Sequence, residues 1–344
     1  MPAPPRPNRD QPPRTVDRDA NMPQRALITG ISGFIGGHLA EHLLAAGDAV
    51  LGCTSRGTWR RESPAAVSNC VELAAFDISR DDGLPASARR VIERFRPTCL
   101  YHLAALSVPQ DCGATEPSPA AIAVNVDGTR RVLELAAGLP SRPRLLFVSS
   151  SHVYAPVPAS APRVAETAPL GPDRGYGRSK LAAEEVVRGA VRASGGDVVI
   201  VRAFQHAGPR MNARLMLSQW STQFLARDSR PVEVYTRDAH IDLSDVRDVV
   251  RAYRLLTERG RSGEIYNVGC GVSRSSGAIL DILRRLAGPG RAIVETRPGF
   301  KQGPIADITE LAARTGWQPR IPIEQTVADT WAWWQGTSHA EGTR

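Results

Sequence analysis

Tyr176 and Lys180 stand four residues apart in a chain of 344 residues that holds six tyrosines and only two lysines against 41 arginines. The spacing gains meaning from what precedes it. A serine run, Ser149-Ser150-Ser151, lies upstream, and before that comes the turn Thr29-Gly30-Ile31-Ser32-Gly33-Phe34-Ile35-Gly36. Serine, tyrosine and lysine behind a dinucleotide loop are the parts needed to move a hydride to or from a carbonyl.

The elements around the glycines are those such a loop requires. Arg25-Ala26-Leu27-Ile28-Thr29 is a short apolar run suited to a buried strand. From Phe34 to Ala46 the apolar residues Phe34, Ile35, Leu39, Leu43 and Leu44 recur at helical spacing, and Gly47 stops the helix. Strand, turn and helix in that order aim backbone N–H groups and a positive helix end at a pyrophosphate. Gly30 permits the tight turn, Gly33 the approach of phosphate, and Gly36 the close packing of helix on strand. The second strand, Ala49–Cys53, is followed by Thr54-Ser55-Arg56, with Arg60 and Arg61 behind and no acid until Glu62. An NAD site wants a carboxylate there for the ribose hydroxyls. Arginine instead offers a planar fork to a phosphate, so NADP(H) is expected, with NAD(H) the alternative.

Composition fits a soluble enzyme. The length can bury a sizeable core and suggests one large or two moderate domains. No apolar run approaches a membrane span and no secretory segment opens the chain, so a cytoplasmic protein is expected. Cys53, Cys70, Cys99, Cys112 and Cys270 show no metal-ligand spacing, and no metal is expected. The formal net charge of +8 is dispersed and no nucleic-acid motif appears, which suits attraction of a diphosphate-bearing substrate.

Residues 1–22 are rich in proline and charge and are expected to form a disordered tail. Beyond them, strand-like and helix-like segments alternate as in a doubly wound parallel sheet of Rossmann type. Strands are predicted over Val71–Phe76, Cys99–Leu103, Leu145–Val148, Asp197–Val201 and Glu264–Val268. Helices are predicted over Leu84–Phe95, Pro119–Ala137, Tyr176–Ala193, Asp245–Thr257 and Ser276–Leu286. A last helix carries Trp331, Trp333 and Trp334, read as a cap on a small core.

With these motifs in order, the chain resembles the extended short-chain dehydrogenase/reductases that act on nucleotide sugars. The resemblance runs from about Arg25 to Trp334. It rests on the glycine loop, Asp77-Ile78, His102-Leu103-Ala104-Ala105, Asn125-Val126-x-Gly128-Thr129 and Ser149-Ser150-Ser151-His152-Val153-Tyr154. Tyr176-x-x-x-Lys180, Gly208-Pro209, Asp245-Val246-Arg247-Asp248, Tyr266-Asn267-Val268-Gly269 and Thr315-Gly316-Trp317-x-Pro319 complete it. Within the group, residues 245–253 and 320–326 look most like GDP-4-keto-6-deoxy-mannose reductases, with GDP-mannose 4,6-dehydratases as close relatives. The resemblance implies a dinucleotide domain over residues 23–203 and 239–270. It implies a smaller substrate domain over 204–238 and 271–337, followed by a tail at 338–344, and a homodimer paired through a four-helix bundle. Ser150 would hold the substrate oxygen and Tyr176 would pass its proton. Lys180, one helical turn on, would grip the nicotinamide ribose and lower the tyrosine pKa. Ser32, Phe34, Ile35, Leu103, Ala104 and Ala105 would line the cofactor, with Asp77 and Ile78 at its adenine edge. Ser107, Gln205, Arg214 and Arg297 would meet the nucleotide sugar.

Three departures from the family pattern bear on the reaction. His152 replaces the glutamate that serves the 4,6-dehydratases as a base for the carbon-5 proton. Gln205 stands where the family has asparagine. Ile241 stands where an arginine contacts the substrate diphosphate, leaving Arg297, with Arg214 or Arg237, to take that contact. Reduction of a 4-keto-6-deoxy sugar nucleotide is therefore expected. The alternatives are a 4-epimerase with tightly held NAD, a 4,6-dehydratase, and a dinucleotide sensor without catalysis.

Overall fold

A computed structural model of the protein describes residues 23–60, 63–288 and 290–341. The expected tail at 1–22, together with Arg61 and Glu62, lies outside them. In chain order the strands are β1 (Arg25–Thr29), β2 (Ala49–Thr54), β3 (Glu72–Ala75), β4 (Cys99–His102), β5 (Arg144–Ser150), β6 (Arg163–Val164), β7 (Val198–Ala203) and β8 (Gln205–Ala207). They continue as β9 (Val232–Val234), β10 (Ala239–Asp245), β11 (Ile265–Val268), β12 (Ser273–Ser275), β13 (Ile293–Glu295), β14 (Lys301–Gln302) and β15 (Ile305–Ala306). The helices are α1 (Phe34–Ala45), α2 (Ala65–Ser68), α3 (Ala86–Phe95), α4 (Pro119–Ala121), α5 (Gly128–Gly138) and α6 (Gly175–Ser194). After them come α7 (Met216–Leu225), α8 (Val246–Arg259), α9 (Ser276–Ala287), α10 (Thr309–Thr315) and α11 (Ile323–Glu341).

Seven strands form one parallel sheet in the order β3-β2-β1-β4-β5-β7-β11. Apolar runs buried on both faces make this possible: every residue of β5 and β7 is buried, as are the last four of β1. Helices α1 and α8 cover one face through Leu39, Leu43, Val249, Tyr253 and Leu256. Helices α3, α5 and α6 cover the other through Ile92, Val132, Leu135, Ala183 and Val187. Strand order reverses between β1 and β4. That switch point opens a crevice at the carboxyl ends of β1, β4 and β5, where ligands of such sheets bind.

One predicted helix is interrupted. Residues 119–138 do not run as a single α-helix: Ile122–Asp127 is a π-helical segment between α4 and α5. The wider turn places Asn125 so that its amide donates to the Leu106 carbonyl and to Ser179 Oγ, while Leu106 N–H donates back to Asn125 Oδ1.

A second layer gathers around a separate core. Strand β10 pairs with β12, β14 and β8, and β9 pairs with β13. Helices α7, α9 and α11 enclose Leu217, Trp220, Ile279, Leu283, Val327 and Trp331. Trp333 and Trp334 meet edge to face beside it. Helix α11 runs on to Glu341, into the stretch marked by the sequence as a tail. Leu311 and Trp317, grouped by sequence with the C-terminal segment, pack instead into the core under the seven-stranded sheet. We propose a division into two lobes with 309–317 belonging to the first and β10 to the second. No helix among the described residues is long and apolar enough to cross a membrane.

Candidate active site

The glycine turn is shaped by contact. Gly30 has φ +74°, and a Cβ there would stand 2.8 Å from the backbone of Ala104. A Cβ on Gly36 would stand 2.3 Å from the Gly30 carbonyl oxygen. Either substitution forces the loop away from its strand. Gly33 caps α1 in extended conformation without a side-chain acceptor, and the first turn carries no acidic residue. The open amides and the positive helix end therefore face the crevice unopposed, a cradle for a diphosphate. Ser32, Phe34 and Ile35 are half-buried around it, and the Phe34 ring stacks on His206 with centroids 6.0 Å apart.

At the end of β2, Arg56 is exposed and has no side-chain partner among the described residues. Asp77 Oδ1 accepts from the amide and hydroxyl of Ser79, which fixes the turn after β3. Ile78 is buried under Gly128, where a Cβ would stand 2.9 Å from Ile78 Cδ1. Leu103, Ala104 and Ala105 leave β4 half-exposed along the crevice. Behind them a hydroxyl–imidazole chain locks the strand ends: His102 Nδ1 lies 2.8 Å from Thr29 Oγ1 and its Nε2 lies 3.1 Å from Thr129 Oγ1. Burial, reinforced by the Lys180 charge, lowers the His102 pKa to about 3, so the ring is neutral.

The three chemistry-bearing residues meet at the end of β5 and the start of α6. The buried Ser150 closes β5, with its hydroxyl beside the Tyr176 phenol. It also accepts from the His152 amide at 3.2 Å and lies 3.1 Å from His152 Nδ1. The His152 ring rests edge-on against Tyr176. The surrounding protein lowers the His152 pKa, with Asp173 raising it and Arg174 lowering it less strongly. Gly175 and Gly177 let α6 come this close, since a Cβ at Gly177 would stand 2.2 Å from the His152 carbonyl oxygen.

Lys180 is 4% exposed, and its ammonium lies 4.7 Å from the centre of the Phe147 ring. It makes no hydrogen bond or ion pair among the described residues. A buried ammonium with unused donors fits a pair of ribose hydroxyls. Burial lowers its pKa to about 8, opposed by the charge of Glu184 one turn further along α6. The expected lowering of the Tyr176 pKa by Lys180 is not present. Burial pushes the phenol up to about 12, with the Ser150 hydroxyl pulling weakly the other way. Desolvation of the phenolate sets the direction of the shift.

Of the residues expected to meet substrate, Ser107 follows β4 and Gln205 opens β8, both exposed. Arg214 is held by Asp111 in a bidentate ion pair of 2.8 and 2.9 Å. Arg237 is held by Asp281, and Arg297 stacks over Tyr235 at 5.1 Å. Ile241 lies in the core of the second layer, directly opposite Arg274 on β12. The segments containing Asn125 and His102 are legible in the sequence, but the task of neither residue is. Their positioning roles depend on the π-segment and on pairing across β1 and β4. Among the described residues, no group of three His, Cys, Asp or Glu side chains is arranged to hold a metal ion.

A parallel sheet with a glycine cradle at its switch point and Ser, Tyr and Lys at the crevice defines a Rossmann-type oxidoreductase site. The chain belongs to the NAD-dependent epimerase/dehydratase family, whose model matches residues 26–269. It is 27% identical over 330 residues to the GDP-6-deoxy-D-mannose reductase of Pseudomonas aeruginosa, covering 93% of this chain and 100% of that one. It is 29% identical over 340 residues to the UDP-glucose 4-epimerase of Streptomyces lividans, covering 93% and 98%. Among solved structures, RMD from Pseudomonas aeruginosa complexed with NADPH superposes with a TM-score of 0.76 at 25% identity, covering 91% and 99%. The protein is an NAD(P)-dependent enzyme of sugar-nucleotide modification.

The Lys180 environment predicts how cofactor binding depends on pH. Its ammonium is intact below pH 8 and is lost as pH rises through about 8. NADP(H) affinity should be flat at neutral pH and fall by up to about tenfold per unit above that point. Lys180→Met should bind more weakly and lose this dependence. A wild-type affinity that stays constant between neutral pH and pH 9, measured by fluorescence titration, would contradict the ribose role.

Proposed function

We propose that the protein is an NADPH-dependent reductase of a 4-keto-6-deoxy sugar nucleotide. The observation that carries this reading is His152: it stands where the family's 4,6-dehydratases have a glutamate base, and its Nδ1 lies 3.1 Å from Ser150 Oγ. Reduction of a ketone needs no base for the carbon-5 proton, only a hydride, the Tyr176 proton and Ser150 to hold the oxygen. Epimerases and dehydratases begin by oxidising an alcohol; a reductase begins with the ketone. Similarity to the Pseudomonas reductase agrees with the same reading.

In this scheme the dinucleotide supplies the hydride. Ser150 holds the keto oxygen and Tyr176 delivers its proton as charge develops there. His152, bonded to Ser150 Oγ, orients the serine, so it is a positioning residue and not the missing dehydratase base. Lys180 holds the nicotinamide ribose, and the turn from Gly30 to Gly36 holds the diphosphate. Asp77 and Ile78 flank the adenine and Arg56 takes the 2′-phosphate. Ser107, Gln205, Arg214 and Arg297 meet the nucleotide sugar. We further propose a homodimer through the helices of segments 119–138 and 175–194, forming a four-helix bundle. The second reading, a 4-epimerase, is favoured by the Streptomyces relative.

The experiment is to supply purified enzyme with NADPH and either a GDP- or a dTDP-linked 4-keto-6-deoxyhexose. NADPH should be consumed, and Tyr176→Phe should lower turnover by at least ~100-fold while leaving cofactor binding intact. Epimer formation without NADPH consumption would establish the second reading instead. Release of a 4-keto product from the parent hexose nucleotide would make the enzyme a dehydratase.

Cofactor preference tests Arg56. Arg56→Ala should weaken NADPH by roughly ten- to a hundredfold, the worth of a charge-assisted contact, and leave NADH nearly unchanged. Equal losses for both nucleotides would remove Arg56 from the site.

A further inference from the structure

Two stretches of backbone flank the catalytic cluster, and one ion pair joins them. On one side runs the loop between β4 and α4. It packs against the start of α6: a Cβ on Gly175 would stand 2.4 Å from the Cys112 carbonyl oxygen and 2.6 Å from that of Glu116. Asn125 fastens the loop at Leu106, and Glu116 pairs with Arg178. On the other side runs the segment from β8 to α7. It leaves the sheet beside Ala203, which is in register with Ser150. Its turn is fastened to α1, where Pro209 O accepts from His38 Nε2 and Arg210 pairs with Glu41. Both sides are thus anchored at their bases.

Between these anchors the bridge is Asp111 to Arg214, at 2.8 and 2.9 Å, joining residues 103 positions apart in sequence. Each side chain is the other's only charged partner among the described residues. Both are solvent-exposed, with 53% of Arg214 and 38% of Asp111 accessible. An exposed pair of this kind is weak and readily broken. A guanidinium fork donates to two phosphate oxygens with the same bidentate geometry it uses on a carboxylate, and a diphosphate brings more charge.

We propose that Asp111 and Arg214 form a latch across the mouth of the substrate cleft. Asp111 holds Arg214 in the empty enzyme, and the diphosphate of the incoming sugar nucleotide releases the loop by taking Arg214 away. The exchange rests on the reading of the substrate as a nucleotide sugar; the latch itself does not. Asp111 is then a competitor of substrate and not a ligand of it. The ion pair presets the guanidinium in position for the phosphate that replaces the carboxylate.

The test has two arms on the full-length protein. Without ligand, hydrogen exchange of amides 106–116 should be faster in Asp111→Asn and in Arg214→Gln than in wild type. Unchanged exchange in both variants overturns the latch. With cofactor bound, GDP, UDP and dTDP are titrated by calorimetry as diphosphate probes. The best of them should bind about tenfold more weakly to Arg214→Gln and a few times more tightly to Asp111→Asn. Asp111→Asn should have no further effect when added to Arg214→Gln. Weaker or unchanged binding by Asp111→Asn alone overturns the exchange. Failure of all three diphosphates to bind wild type overturns the nucleotide-sugar reading and the exchange with it, while the hydrogen-exchange arm still decides the latch.

Discussion

Two buried charges fasten α6, the helix that carries Tyr176 and Lys180, to its sheet. Arg202 on β7 and Glu184 on α6 are 1% and 0% exposed and meet in a bidentate pair of 3.0 and 2.9 Å. Removing two ions from water costs several kcal/mol apiece, so such a pair is tolerable only when every donor is used. Here they are. Arg202 also donates to the Glu166 carbonyl and to Tyr154 Oη, and its guanidinium lies over the Tyr154 ring. Tyr154 in turn donates to Asn267 Oδ1 on β11. A shift of α6 by one residue would strand Glu184 and with it both charges. The same register sets Tyr176 over Ser150 and buries Lys180 against Phe147.

That anchorage explains the electrostatics of the site. Lys180 keeps a charge in a dry place because Glu184 stands one turn behind it, itself neutralised by Arg202. Glu184 can therefore support the ammonium without capturing it, and the ammonium's donors stay free. Tyr176, only half-buried, receives no such help, and desolvation of its hydroxyl raises its pKa. The two residues share a helix face yet respond to burial in opposite directions, as acids and bases of opposite charge type must. In the proposed reaction these become a charged donor for a ribose beside a neutral donor for an oxyanion.

Much of this was legible in the sequence. Arg25–Thr29 is a strand because its apolar residues are unbroken, and Phe34–Ala45 is a helix because its apolar spacing and Gly47 agree. The turn at Gly30, Gly33 and Gly36 is legible from their spacing between strand and helix, and the placing of Tyr176 and Lys180 one turn apart on α6 from theirs. What stayed hidden depends on contacts between distant segments. The π-segment at Ile122–Asp127 has the same apolar pattern as an α-helix, and only the reach of Asn125 to Leu106 distinguishes it. Arg214 and Arg237 read as free phosphate ligands until folding brings Asp111 and Asp281 to them. The direction of the Tyr176 pKa followed from desolvation of its hydroxyl, which no spacing of charges along a helix reveals.

The account turns on net delivery of a hydride to a ketone with a proton from a neutral tyrosine. The most direct measurement supplies NADPH deuterated at the transferable position of its nicotinamide, together with a 4-keto-6-deoxy sugar nucleotide, and locates the label by NMR. The account predicts one deuterium at sugar carbon 4 for each NADPH oxidised. Product that carries no deuterium and forms without net oxidation of NADPH would contradict it.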